Sequence, residues 1–141
     1  ILHHANLTGA NLLKAMLCGV NFREATLVGA WLIEADLRPG VDHCTDLSGA
    51  DLSDADLSYA QLGGTNFTGA NLSGARLCRA RLSPGYRPRV PITDLTGVNL
   101  EGADLSYADF SGVRLVNANL KDADLTGTLL GQADLTGARG L

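Results

Sequence analysis

The sequence predicts an all-β fold in which the chain winds into a solid square coil, and three observations predict it. Leu, or in a few places Phe, occupies every fifth residue over Leu2–Leu37, Leu47–Leu82 and Leu95–Leu135, apart from the interruptions between these ranges. A small residue, usually Ala, stands two positions before each of these residues from Leu7 onward. Gly is frequent two positions after them, as at Gly9.

A period of five fits neither the 3.6-residue period of an amphipathic helix nor the two-residue alternation of a long strand. Alternation lasts for three residues only: a small residue inward, Asp or Asn outward, and Leu inward. The chain must then turn, and Gly suits the third residue of a type II turn, where φ is positive. Four such sides make a coil of about 20 residues, and about seven coils stack through parallel backbone hydrogen bonds.

The every-fifth residues are expected to fill the centre of the coil, with the small residues beside them. Each buried Leu contributes about 1.5–3 kcal/mol, repeated at every side. Only 5% of the residues are aromatic, so a core of this regular, aliphatic kind is needed. The predicted core includes Leu7, Leu12, Phe22, Leu52, Phe67, Leu105, Phe110 and Leu125.

Segments such as ANLTGANL, LSGADLSDADL and EGADLSYADF resemble the pentapeptide-repeat proteins over nearly the whole chain. The resemblance implies a right-handed quadrilateral parallel β-helix over residues 1–141, interrupted by loops at 38–44 and 83–92. The style of the repeats is similar to that of cyanobacterial members, one of which influences heterocyst differentiation by contacting a transcription regulator. Other members bind a type II topoisomerase as DNA mimics and confer quinolone or toxin resistance.

The two interruptions are candidates for function, because loops on a rigid scaffold often carry it. In the first, Asp42 takes the place of an inward Leu, and an unpaired carboxylate is too costly for an apolar core. Leu47 returns in register, so we expect a bulge that leaves the count of sides unchanged. In the second, 13 residues separate Leu82 from Leu95, which predicts about three extra residues. Three of the four prolines stiffen this loop.

A cluster of basic residues accompanies the second loop, with no Asp or Glu among residues 57–93. Tyr86 lies in the same loop, and Tyr and Arg are favoured at interface hot spots. Two interpretations stay open: a docking site for an acidic partner, or an ordinary solvated corner. The candidate residues are Arg76, Arg79, Arg81, Tyr86, Arg87 and Arg89.

A second candidate patch consists of Leu13, Trp31 and Ile33, which occupy outward positions on one side of neighbouring coils. The regular four-sided coil places Asp51 and Ser53 higher on the same side. Exposed Trp beside two aliphatic residues indicates an interface. The patch is expected to contact either a partner or a segment that precedes Ile1.

Enzymatic activity is not expected, because most Asp residues recur with the structural period and a filled rod offers no cleft. The His and Cys residues lack metal-ligand spacing, and no cofactor is predicted. Cys18 and Cys78 fall on one side three coils apart, about 14 Å, too far for a disulfide. Reduced thiols and a cytoplasmic location follow, although the chain opens at Ile1 without Met and an upstream targeting segment stays open.

These observations predict a non-catalytic protein-interaction scaffold or regulator that acts through its loops and exposed patches. The alternative is a DNA mimic that binds gyrase, although a net charge of −4 is weak for that role. The partner is expected to be a protein, without nucleic-acid or membrane binding. Neither end resembles a cap, so either further residues cap the rod, or the rod forms a homodimer through its ends or a patch.

Overall fold

The computed structural model describes residues 1–85 and 89–141, which wind into a square coil. In the described residues, the extended segments are single bridging residues, and each pairs in parallel with the equivalent residue of the next coil. They form four columns, which we call faces 1 to 4. Face 1 contains Asn21, Asp46, Asn66, Asp94, Arg114 and Asp134. Face 2 contains Asn6, Thr26, Asp51, Asn71, Asn99, Asn119 and Arg139. Face 3 contains Asn11, Trp31, Asp56, Arg76, Asp104 and Asp124. Face 4 contains Met16, Asp36, Gln61, Arg81, Asp109 and Leu129.

The interior consists of the Leu and Phe residues that follow these columns, together with the small residues that precede them. The three Phe residues and most of the Leu residues are fully buried, in one continuous apolar cluster. Of the predicted core, Leu7, Leu12 and Leu125 are only partly buried, because they lie in outer coils that are covered on one side. The core residues that are fully buried are Phe22, Leu52, Phe67, Leu105 and Phe110.

Each corner of the square outside the two interruptions is a β-turn closed by a backbone hydrogen bond, for example from the N–H of Ala10 to the carbonyl of Leu7, at 3.0 Å. The third residue of each turn has positive φ, as at Gly9 (φ 67°). The sequence predicted Gly there, but eleven of the described residues that carry side chains adopt the same left-handed conformation, which costs about 1 kcal/mol or more each. The outward Asp or Asn supports the turn, since Asp51 Oδ1 accepts a hydrogen bond from the N–H of Ser53 at 3.0 Å.

The prediction that the first interruption leaves the count of sides unchanged is wrong. Asn21 pairs with Asp46 and not with Val41, its partner in an uninterrupted coil, and the same displacement continues to the pair Asp36–Gln61. A whole pentapeptide is therefore looped out of the coil. Asp42 lies exposed in this loop, where its carboxylate stays hydrated.

The second interruption is also larger than predicted. Asn66 pairs with Asp94, eight positions beyond its partner in an uninterrupted coil, whereas a displacement of three was expected. Leu82 and Leu95 are consequently adjacent sides of the square, and both are fully buried.

The looped-out pentapeptide shifts every column above it, which overturns two predictions. Trp31 is followed on its face by Asp56, and not by Asp51, which stacks on Thr26. Cys18 follows the face 4 residue Met16 and its neighbour Leu17, while Cys78 follows the face 3 residue Arg76 and its neighbour Leu77, so the two cysteines lie on different faces. All three cysteines of the chain, Cys18, Cys44 and Cys78, are free thiols.

Candidate binding surface

Both loops leave the coil at the same corner, the one between faces 4 and 1. The first loop leaves after Leu37 and the second after Leu82, and the bridging residues before these two, Asp36 and Arg81, both belong to face 4. Only the coil that ends at Leu62 separates them. The fold therefore brings together two segments that are far apart in the sequence.

Two adjacent glycines of that intervening coil form the seat on which the loops meet. A Cβ atom at Gly64 would lie 2.8 Å from Pro39 Cγ of the first loop and 2.8 Å from Val90 Cγ1 of the second. The backbone of Ser83 covers Gly63 in the same way. Because hydrogen is the only side chain that fits here, both loops pack directly on the coil and on the same spot.

Threonines at the inward position that Ala usually occupies stabilise this corner through hydrogen bonds. Thr65 donates a hydrogen bond to the carbonyl of Leu37 at 2.8 Å. Thr93 donates to the carbonyl of Leu82 and accepts from the N–H of Gly64 at 2.8 Å. Thr45 accepts from the N–H of Gly19 at 2.8 Å. Backbone groups that the loops free from the regular pattern thus regain partners, which keeps the loop ends rigid.

Between the loops lies an open groove of about 890 Å³ along face 4. Its apolar walls come from Pro39, Val41, Pro84 and Val90, and Val41 is fully exposed. Its polar lining includes Arg38, Gln61, Arg81, Arg89 and Asp109. An apolar wall beside exposed guanidinium groups suits the recognition of a protein segment.

Arg38 is held at the edge of the groove by a bidentate ion pair. It donates to Asp36 from Nε at 2.9 Å and from Nη2 at 2.7 Å. The hydrogen bond from Arg38 lowers the pKa of the Asp36 carboxyl. Burial, and then the negative charge of Asp36, raises the pKa of the neighbouring Cys18 thiol. Cys18 is therefore a poor nucleophile at neutral pH, because only the thiolate reacts efficiently.

The corner between faces 3 and 4 forms the other margin of face 4 and carries a ladder of large side chains. Tyr59, Arg79 and Tyr107 occupy the left-handed position of three successive coils. The guanidinium carbon of Arg79 lies 5.1 Å from the centre of the Tyr107 ring, a cation–π contact. The Tyr107 ring in turn covers Gly127, where a Cβ atom would clash with it. Both tyrosines stay more than half exposed, at 52% and 56%.

The sequence pattern described as Pentapeptide repeats matches eight copies in this chain, over residues 1–38, 45–83, 93–132 and 118–139. The matches omit residues 39–44 and 84–92, which lie in the two interruptions of the repeat. The chain belongs to the pentapeptide-repeat family. The predicted all-β, right-handed quadrilateral β-helix is thereby confirmed.

Among solved structures, this pentapeptide-repeat protein is similar to HetL, a protein involved in heterocyst differentiation regulation from the cyanobacterium Nostoc sp. strain PCC 7120. The identity is 47% and the TM-score 0.95, over 97% of this chain and 58% of HetL. It thus spans little more than half the length of that relative. Its fold is also similar to that of QnrB1, a plasmid-mediated fluoroquinolone resistance protein, at 19% identity and a TM-score of 0.59, over 94% of this chain and 71% of QnrB1. No curated protein matches the chain.

The predicted arginine cluster is divided by the pentapeptide-repeat coil. Arg81 and Arg89 line the groove, and Arg79 lies in the ladder at the other margin of face 4. Arg76 lies on face 3, between Asp56 and Asp104 of the adjacent coils, so the coil gives it acidic neighbours. Two further predicted residues, Tyr86 and Arg87, lie outside the described residues.

The predicted patch of Leu13, Trp31 and Ile33 lies together on face 3 of this pentapeptide-repeat rod, in the first two coils. Trp31 is 57% exposed and Leu13 is 49% exposed. Lys14 and Glu34 form an ion pair of 3.8 Å at the neighbouring corner. The groove lies along face 4 and at its far corner, so the two surfaces point in different directions.

The sequence predicted neither the packing of both loops at one corner nor the Tyr59–Arg79–Tyr107 ladder. The threonines were the available signal for the first, because Thr45, Thr65 and Thr93 replace the usual Ala at one corner of three successive coils.

In the described residues, no helix has the length and apolar character that crossing a membrane requires. No cluster of three His, Cys, Asp or Glu side chains in those residues is placed to hold a metal ion.

Proposed function

We propose that the chain is a non-catalytic protein-binding scaffold or regulator that holds a protein partner in the groove between its two loops. The observation that carries this proposal is the contact of Pro39 and Val90 on the shared seat at Gly64. Two loops that pack on the same spot of a rigid rod form a preorganised surface, and preorganisation lowers the entropic cost of binding.

The similarity to HetL supports a regulatory role for this surface. HetL is involved in heterocyst differentiation regulation, and the similarity extends over 97% of this chain, including the segments on both sides of each loop. Because the chain spans 58% of HetL, we propose the role for this part of the rod alone. The regulator would act by contact and not by chemistry.

The alternative role, a DNA mimic that binds gyrase, receives less support from the charges. A duplex carries one negative charge about every 1.7 Å, whereas stacked coils are about 4.8 Å apart. On face 3, Arg76 stands between Asp56 and Asp104, and on face 1, Arg114 stands between Asp94 and Asp134. A gyrase supercoiling assay distinguishes the two roles. If micromolar protein has no effect on gyrase, neither protecting nor inhibiting it, the DNA-mimic role is excluded.

The proposed docking site is tested by Gly64→Ala, with Gly69→Ala as the matched control. Both glycines have left-handed φ, 81° and 67°, so both variants carry similar backbone strain. A methyl group at Gly64 meets both loops, whereas one at Gly69 meets nothing within 4 Å. Proteins captured from a cyanobacterial lysate and quantified by mass spectrometry should bind the wild type and Gly69→Ala, and bind Gly64→Ala at least tenfold less.

Equal capture by Gly64→Ala and Gly69→Ala would contradict the proposal. Urea denaturation should show that both variants keep a cooperative unfolding transition, with the larger loss of stability for Gly64→Ala, because its methyl group also displaces both loops. Arg89→Glu provides an independent variant, because its side chain lines the groove and takes no part in the core. It should reduce the capture of the same proteins.

A further inference from the structure

Face 4 carries a second depression beside the groove between the loops. Gln61, Arg81 and Asp109 form the floor, one residue in each of three successive coils. These three residues line the groove toward the loops. They also line a second depression of about 410 Å³ toward the ladder of Tyr59, Arg79 and Tyr107. The two depressions therefore share one floor.

The ladder margin differs from the other regular corners of the rod. At the corner between faces 1 and 2, the left-handed position is filled by Gly49, Gly69, Gly97 and Gly137 in four of the coils. At the corner between faces 3 and 4, Gly127 is the single glycine among the described residues of the column. The large side chains there accept a backbone conformation that favours glycine, at about 1 kcal/mol or more each, and such strain is concentrated at functional sites.

The charges of the two depressions have the opposite sign to the rest of the molecule. Among the described residues that line them, Asp109 is the one carboxylate, and the cations are Arg38, Arg79, Arg81 and Arg89. Arg38 is neutralised by its ion pair with Asp36, so Arg79, Arg81 and Arg89 provide the excess positive charge. The whole chain has a net charge of −4. A basic strip on an acidic protein directs an acidic partner to this face and repels it from the others.

The geometry of the arginines determines which kind of acidic partner fits. Arg79 holds its guanidinium carbon over the Tyr107 ring, and a guanidinium in such a cation–π contact can also pair with a carboxylate through its N–H groups. Pro39 and Val90 offer apolar contact at the opposite margin, near Arg89. A partner that uses both margins needs carboxylates at one end and an apolar side chain at the other.

We propose that face 4 binds an extended acidic segment of a protein partner, which crosses the floor from the Tyr59–Arg79–Tyr107 ladder to the loops. Aspartate or glutamate side chains pair with Arg79 and Arg81, and an apolar side chain packs on Pro39 and Val90. This inference rests on the proposed scaffold function, and it adds the chemistry of the partner and the second margin of the site.

The test is a selection from a library of random twelve-residue peptides displayed on phage, with the whole chain immobilised. The double variant Arg79→Glu/Arg81→Glu reverses the charge of the floor and ladder. Arg76→Glu reverses one charge on face 3, away from both depressions, and serves as the control. Wild type and Arg76→Glu should enrich peptides rich in Asp and Glu with at least one apolar residue. A synthetic peptide from that selection should bind the double variant at least tenfold more weakly in fluorescence anisotropy, and wild-type binding should weaken with added NaCl.

Two other outcomes separate this inference from the scaffold function. If the enriched peptides show no excess of acids, or bind the double variant as well as the wild type, and yet lose binding to Gly64→Ala, the acidic-segment inference is overturned and the loop groove stands. If no enriched peptide depends on Gly64, the docking function and the inference are both overturned. Urea unfolding of each variant shows that a loss of binding is not a loss of folding.

Discussion

Faces 2 and 4 lie on opposite sides of the same rod and are built from the same pentapeptide, yet their outer surfaces differ. On face 2 an amide ladder joins the coils: Asn99 donates to Asn71 at 3.3 Å, and Asn71 donates to Asp51 at 3.2 Å. On face 4 the corresponding column changes from Gln61 to Arg81 within one coil step, and both loops leave beside it. Face 2 pairs its polar groups with those of neighbouring coils, whereas Gln61, Arg81 and Asp109 on face 4 line an open groove.

The difference shows how a repeat protein separates stability from recognition. Every coil contributes the same buried side chains on all faces, so the outer residue of one face can vary without disturbing the interior. Face 3 also varies, with Trp31 and Arg76 in its column, but both loops leave beside face 4. The proposed function accordingly depends on the surface chemistry of face 4.

The largest losses of stability are expected in the core, where the side chains beneath face 2 and face 4 should contribute equally. Leu62 lies under face 4 and Leu72 under face 2, and both are fully buried. Leu62→Ala and Leu72→Ala should each lower the free energy of unfolding by about 2–5 kcal/mol, because each leaves a cavity in a packed interior. Urea denaturation measures both. A loss for Leu62→Ala of less than half that for Leu72→Ala would break the comparison.

A smaller effect is expected at the threonine that fastens the second loop. Thr93→Val should lower the free energy of unfolding by about 1–3 kcal/mol, because the N–H of Gly64 and the carbonyl of Leu82 lose a buried partner. Valine fits this position sterically, since Val113 occupies it in the next coil. Urea denaturation gives the loss, and limited proteolysis should cut residues 84–92 faster.

The exposed Thr68 provides the control for that substitution. Its hydroxyl bonds only Asn66 Oδ1, at 2.7 Å on the surface, so Thr68→Val should change the free energy of unfolding by no more than about 0.5 kcal/mol. If Thr93→Val and Thr68→Val lose equal stability, the buried hydrogen bonds of Thr93 stabilise the fold no more than an exposed one.

The smallest effect is expected at the ion pair beside the first loop. Asp36→Asn keeps a side-chain oxygen and removes the charge that pairs with Arg38, so at pH 7 it should cost about 0.5–1 kcal/mol. Because the pKa of Asp36 is lowered in the folded state, its stabilisation is present above the unfolded pKa of about 3.9 and is lost as the pH falls through the folded value. Urea denaturation across pH 2–7 should show the two proteins converge at low pH.

The exposed loop residue Asp42 is the matched control for that charge change, and Asp42→Asn should leave the free energy of unfolding unchanged to within about 0.5 kcal/mol. A stability difference between wild type and Asp36→Asn that persists at pH 2 would mean that the ionised pair is not its source.

The fold could be predicted from the sequence because one five-residue rule, repeated along the chain, places each side chain either inward or outward. The columns could not be assigned, because Asp42 leaves the five-residue spacing of Leu37 and Leu47 intact whether its segment stays in the coil or leaves it. The alternatives differ only in backbone pairing, which the pattern of side chains does not record. Because of that ambiguity, the sequence predicted Asp51 on the face of Trp31 and did not predict that both loops leave the coil at the same corner.

The surface was less predictable than the interior for a related reason. The sequence separation between neighbours on a face grows by a different amount at each loop, as the pairs Asn21–Asp46 and Asn66–Asp94 show. The second loop makes Tyr107 a neighbour of Arg79 across 28 residues, which the regular spacing of 20 does not predict. Arg76 and Arg81 lie on different faces for a simpler reason, since they are one pentapeptide apart.

The shared exit corner has a consequence for how such a protein changes over time. Residues can be added to or deleted from either excursion without altering the pairing of a single coil, because Leu47 and Leu95 resume the square wherever the excursion ends. Lengthening a flexible excursion costs little free energy, about 0.6 kcal/mol for each doubling. New recognition segments can thus be acquired at this corner while the remaining three sides stay unchanged.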